Sequence, residues 1–246
     1  MRPKIYLLGD SITEQSFAEG GWGASLANRF ALTVDVLLKG YGGYNTRWAL
    51  KVLDILFPAT GSCDNGENSS DTPIFVTVFF GANDASLPDR CSGFQHVPLH
   101  EYKQNLHSIV SFFKKKWPET HVILITPPPI DEEGRLRDPY NENPQGLPER
   151  TNEAAGEYAR ACISVAGECG IPVVDLWTKM QQNPDWAKAY LSDGLHLTKS
   201  GNRVVFEELI LKLEGELGLH LEALPVDIPL ITEIDPNDPL KSFEKY

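Results

Sequence analysis

Five short apolar runs, alternating with stretches of helical periodicity, constrain what this chain can fold into more than any other feature of its sequence. The runs cover residues 5–8, 34–38, 74–80, 122–125 and 171–176. In the first, Ile5, Tyr6, Leu7 and Leu8 follow one another without polar interruption, the pattern of a strand covered on both faces. Helical patterns occupy 22–30, 47–57, 102–117, 149–168 and 201–217. In the last, Val205, Leu209 and Leu213 fall on one face at steps of four, and Val204 and Phe206 widen the stripe. Strands alternating with helices predict a parallel sheet wrapped by helices on both sides. The expected architecture is a three-layer α/β/α, flavodoxin-like, doubly wound sheet of five parallel strands in the order 2-1-3-4-5. With 246 residues, 41% of them apolar, the chain can bury the core of one such domain, expected over 1–218.

Four segments fall outside the pattern. Residues 58–73 are rich in Gly, Ser, Asn and Asp and read as a mobile surface loop. Residues 85–99 and 127–148 are long connections after the third and fourth strands. They leave the sheet at its carboxyl end, where ligands of open α/β sheets bind. These two connections are the expected pocket walls, with Trp22, Tyr44, Trp48, Phe94 and Tyr140 as aromatic candidates, each equally compatible with ordinary packing. From residue 219 a proline-rich tail carries Leu221, Leu224, Val226, Ile228, Leu230 and Ile231, which predicts an extended strap over 219–246.

A net charge of −12 repels phosphate backbones and anionic lipid heads, so neither nucleic acid nor a membrane surface is the expected partner. A neutral or cationic small molecule fits better. No apolar stretch has the length of a signal peptide or a membrane span, and a cytoplasmic protein is expected. Cys63, Cys91, Cys162 and Cys169 form no C-x-x-C pair and no metal-ligand spacing with histidine, so reduced thiols and no metal are expected.

The first apolar run leads straight into Gly9-Asp10-Ser11. A serine just past a strand can merely cap the next helix. As a nucleophile it needs a base, because a hydroxyl is weak at its own pKa. Of six histidines, His196 in "DGLHLT" has an acid nearby in a turn-like setting, Asp193 three residues upstream. That spacing lets the carboxylate hold one ring nitrogen and leaves the other for Ser11. The stretches "GYGGYNT" at 40–46 and "GAND" at 81–84 offer Gly43 and Asn83 as oxyanion donors after the second and third strands. In a 2-1-3 arrangement Ser11, Gly43 and Asn83 emerge side by side. Taken singly, Asn83 could stabilise a turn and Asp193 could cap the final helix. The chain has no G-x-S-x-G elbow, no Walker motif and no zincin pattern.

Together the four stretches resemble the SGNH (GDSL-type) hydrolase superfamily, named for the Ser, Gly, Asn and His of its motif blocks. By position these are Ser11, Gly43, Asn83 and His196, with Asp193 as the acid, and the first block reads Gly-Asp-Ser-Ile rather than Gly-Asp-Ser-Leu. "GDSITEQSF", "GYGGYNTRWAL", "FFGANDA", "TPPPIDEEGR" and "LSDGLHLTKSGN" look like the isoamyl acetate-hydrolysing esterases and their plant homologues. The resemblance implies a serine esterase without cofactor, acting on small acyl esters, with oxyanion donors from Ser11, Gly43 and Asn83. Acyl transfer, or deacetylation of sugars or specialised metabolites, by the same residues is the alternative it leaves open.

Overall fold

The computed structural model describes residues 2–58 and 72–244. Most of the expected mobile loop, and Cys63 with it, lies outside the described residues. Five strands form one parallel sheet: β1 (Lys4–Gly9), β2 (Asp35–Gly40), β3 (Phe75–Phe79), β4 (His121–Ile125) and β5 (Val173–Val174). Their order is β2-β1-β3-β4-β5, as the alternation of runs and helices predicts.

The inner strands alternate their side chains between two cores. Ile5, Leu7, Phe75, Phe79, Ile123 and Ile125 pack on one face against α2 (Trp22–Arg29) and α9 (Lys199–Leu211), through Leu26, Val205 and Leu209. Leu8, Val76, Val78, Val122 and Leu124 face the other way, onto α3 (Thr46–Leu56), α4 (Leu99–Lys116) and α6 (Asn152–Cys169). A strand buried on both faces needs apolar residues at both parities, which is why these segments read as continuous runs. Three of these helices, α3, α6 and α9, start where a side chain satisfies one of their first N–H groups. Asn45 accepts from Trp48 N, Thr151 from Ala154 N and Thr198 from Gly201 N.

The fifth strand is shorter than the apolar run 171–176. Asp175 caps α7 (Leu176–Gln181) through Thr178 N, so the chain turns helical before the run ends. The two long connections are partly structured: α5 (Glu132–Arg137) lies in one and a 3-10 turn, Gly93–Gln95, in the other. A short helix α8 (Trp186–Tyr190) precedes the segment that carries Asp193 and His196. The last helix closes in a π turn, Lys212–Glu216. Beyond it Leu221 is buried and Leu219 and Leu224 pack on the core, while Ile231 and Leu240 are exposed. An ion pair of 2.9 Å between Arg2 and Asp227 joins this tail to the start of the chain.

Candidate active site

Gly9 at the end of β1 pairs in register with Gly40 of β2 and with Phe79 of β3, so the three following loops leave the sheet at one level. Ser11 opens the short helix α1 (Ser11–Glu14) but does not cap it. Asp10 takes that role, its Oδ1 accepting from Ile12 N at 2.9 Å. The Ser11 hydroxyl instead lies 3.0 Å from His196 Nε2. Gly43 has φ +77°, the left-handed conformation that a side chain disfavours, and a Cβ built on the neighbouring Gly42 would lie 3.9 Å from Ser11 Cβ. Asn83 follows β3 and is buried.

His196 is held from behind. Its Nδ1 lies 2.7 Å from Asp193 Oδ2, and its backbone N–H donates to Asp193 Oδ1 at 2.8 Å. Leu195 N–H also donates to Oδ1, so the carboxylate folds its own turn around the histidine. Gly194, at φ +86°, permits that turn, and a side chain there would strike Asp131 O. Burial works against the Asp193 charge. Hydrogen bonds and charge from His196, with the charge of Arg135, outweigh it and hold the carboxyl well below the usual carboxylate range. An ionised Asp193 accepts from Nδ1–H, which leaves Nε2 as an acceptor facing Ser11. Ser11, His196 and Asp193 thus stand in one unbroken hydrogen-bonded line.

The GDSL-like Lipase/Acylhydrolase family model matches residues 5–209. The chain belongs to this family. A GDSL esterase/lipase of Arabidopsis thaliana is 64% identical over 246 residues, the whole of both chains. A human isoamyl acetate-hydrolyzing esterase 1 homolog is 46% identical over 231 residues, 92% of this chain and 86% of that one. Among solved structures, a lipase/acylhydrolase from Enterococcus faecalis superimposes with TM-score 0.64 at 27% identity, covering 88% and 97% of the two chains. The protein is accordingly a carboxylic ester hydrolase of GDSL type.

The GDSL framework here rests on a buried polar network that sequence reasoning missed. Arg150, 1% exposed, donates from Nη2 to Asn83 Oδ1 at 3.0 Å and to Gln95 Oε1 at 2.7 Å. Asn83 Nδ2 then donates to Tyr44 O at 2.8 Å, and Gln95 Nε2 to Gly43 O at 3.0 Å. Arg150 Nη1 also reaches Glu149 Oε1 at 3.0 Å. The same oxygen accepts from Arg135 Nε at 2.8 Å, and Arg135 Nη1 donates to Asp193 Oδ2 at 2.9 Å. Glu149 and Arg150 open the segment read as a helix, where charged side chains are ordinarily solvated. On the other side of Ser11, Glu14 accepts from Gly42 N and pins the glycine turn.

Of the aromatic candidates, four form a contiguous row and one does not. Tyr44 meets Trp48 at 5.9 Å between ring centroids, Trp48 stacks on Phe94 at 6.2 Å, and Phe94 meets Tyr140 at 5.8 Å. A Cβ placed on Gly43 would stand 3.9 Å from the Tyr140 hydroxyl, so the row ends beside the glycine turn. Phe94 and Tyr140 are 56% and 48% exposed, large apolar surfaces left open next to the site. Trp22, by contrast, is fully buried against Phe79, with its indole N–H on Ile12 O, and belongs to the core. An aromatic at the start of a helix reads the same in sequence whether it faces a cleft or the sheet.

Among the described residues no group of His, Cys, Asp and Glu could hold a metal ion, and no helix is long and apolar enough to cross a membrane. Cys91, Cys162 and Cys169 are free thiols, and burial pushes the Cys162 thiol up to about 12.

Two buried acids beside the site set a pH dependence. Burial pushes Asp10 up to about 7 against the opposing charges of His196 and Arg150. It pushes Asp84 up to about 7 against the hydrogen bonds from Thr46. Their reference value is 3.8, so the folded form binds protons that the unfolded chain has already released. The stability each contributes is complete below that value and is lost as pH rises through about 7. Asp193 acts oppositely, its contribution being lost as pH falls below its unfolded value. Unfolding midpoints in urea should therefore decline from mildly acid pH toward pH 8. In Asp10→Asn, which keeps the Oδ1 acceptor for Ile12 N–H, the decline should be shallower. An equal slope in the two proteins would show that Asp10 does not titrate there.

Proposed function

We propose that the chain is a serine esterase that hydrolyses small acyl esters, acetyl esters foremost, through an acyl-enzyme on Ser11. The observation that carries this reading is the line Ser11 Oγ, His196 Nε2 and Nδ1, and Asp193 Oδ2, with gaps of 3.0 and 2.7 Å. His196 takes the Ser11 proton as Oγ attacks the ester carbonyl. The developing oxyanion accepts from the N–H groups of Ser11 and Gly43 and from the second amide hydrogen of Asn83. One such donor typically contributes about 2.7 to 4 kcal/mol to the transition state. Asp193 stabilises the imidazolium, which then gives its proton to the departing alcohol. Water enters, His196 removes its proton, and the acid is released with Ser11 restored.

The preference for acetyl is supported by the likeness to esterases named for isoamyl acetate hydrolysis. The row Tyr44, Trp48, Phe94 and Tyr140 beside Gly43 suits an apolar or ring-bearing alcohol half. A series of p-nitrophenyl esters tests the reading. Expected is the highest kcat/KM for acetate, falling steadily from butanoate to octanoate. A maximum at long chains would overturn the acyl assignment.

A further inference from the structure

We propose that Arg150 is the positioning residue of this site, a single buried guanidinium that orients both amides on which the oxyanion donors depend. The inference rests on the esterase reading above and adds a residue to it. An amide has two faces, a carbonyl that accepts and an NH2 that donates, and nothing in Asn83 or Gln95 alone decides which way each lies. Arg150 decides both. Its Nη2 lies 3.0 Å from Asn83 Oδ1 and 2.7 Å from Gln95 Oε1, and a guanidinium can only donate. Both carbonyls must therefore face it, and both NH2 groups must face away. For Asn83 that sends the NH2 toward Tyr44 O and the oxyanion position. For Gln95 it sends Nε2 onto Gly43 O, which anchors the Gly43–Tyr44 peptide and so holds from its far side the glycine whose own N–H, in the preceding peptide plane, is the donor.

Arg150 is itself held on its remaining sides. Nε donates to Ala82 O at 2.9 Å, the residue before Asn83, and Nη1 to Glu149 Oε1 at 3.0 Å. Glu149 passes the chain to Arg135 and so to Asp193. The donors on one side of Ser11 and the acid behind His196 on the other are thus tied to one buried row of alternating charge, Arg150, Glu149 and Arg135. Such a row is costly to bury unless it is fully paired. Its position links the two halves of the machinery rather than two parts of the core.

A displaced donor acts on the transition state and not on substrate binding, so the effect falls on kcat. Arg150→Lys retains the charge and loses the two-amide contact. Expected is a kcat about tenfold to a hundredfold lower with KM within about twofold. The dissociation constant of n-butylboronic acid, whose tetrahedral Ser11 adduct places an oxygen at the oxyanion position, should weaken by a similar factor. Gln95→Met serves as the second variant, since it keeps the side-chain volume and removes the Gly43 clamp with its Arg150 contact while leaving Arg150 on Asn83. It should lower kcat in the same sense, and in the double variant the two losses should not multiply. A folded Arg150→Lys with unaltered kcat and boronate affinity would overturn the proposal, as would a change confined to KM. If Arg150→Lys does not fold, an unaltered kcat in Gln95→Met overturns it alone. Hydrolysis surviving in Ser11→Ala would instead sink the reading of the site on which the proposal rests.

Discussion

Replacing Ser11 with alanine should lower kcat for p-nitrophenyl acetate by about a millionfold, the scale on which loss of a serine nucleophile acts in other triads. The same change should abolish labelling by a fluorophosphonate probe, which reacts only with an activated hydroxyl. The fold should not notice. The side-chain partner of Ser11 is His196 Nε2, at 3.0 Å, and the cap of α1 belongs to Asp10. An unaltered thermal midpoint beside lost activity would separate chemistry from stability. Labelling that persisted would place the nucleophile elsewhere.

Asp193→Asn is expected to cost about ten-thousandfold in kcat, because the amide cannot hold His196 in the required tautomer. In this protein the carboxylate has four donors to satisfy. Oδ1 accepts from the N–H groups of Leu195 and His196, and Oδ2 from His196 Nδ1 and Arg135 Nη1. Whichever way an asparagine lies, its NH2 meets two donors. The variant should therefore lose stability as well as activity, visible as a lower urea midpoint. Fluorophosphonate labelling should become slow but not vanish, since Ser11 remains. A kcat within tenfold of the parent would remove Asp193 from the role of acid.

The sheet was legible because burial on both faces writes itself into a strand as an unbroken apolar run, as in residues 5–8 and 122–125. The stretches carrying Ser11, Gly43, Asn83 and His196 were legible because each follows a strand or precedes the last helix. Sequence showed much less of what lies beneath them. Arg135, Glu149 and Arg150 are charged residues near helix starts, and only tertiary packing reveals that they are buried and paired with one another. Asp10 reads in sequence as a plain neighbour of Ser11, and its burial and cap bond to Ile12 are set by the fold. Trp22 is compatible in sequence with a cleft wall and lies in the core, because an aromatic's periodicity tells which helix face it occupies but not what covers that face. The early end of β5 follows from Asp175, whose cap bond to Thr178 outcompetes the last residues of an apolar run.

Ser11 and His196 stand 185 residues apart in sequence, and their contact closes only when the segment leading into α9 has docked on the sheet. During synthesis the serine is therefore made 185 residues before the histidine that the proposed mechanism assigns as its base. A growing chain, or one truncated before residue 196, holds a serine with nothing to remove its proton. Long-range closure of this kind is among the slower events of folding. On the proposed mechanism hydrolytic competence then coincides with the docking of α9, and the appearance of esterase activity during refolding would serve as a direct clock for it.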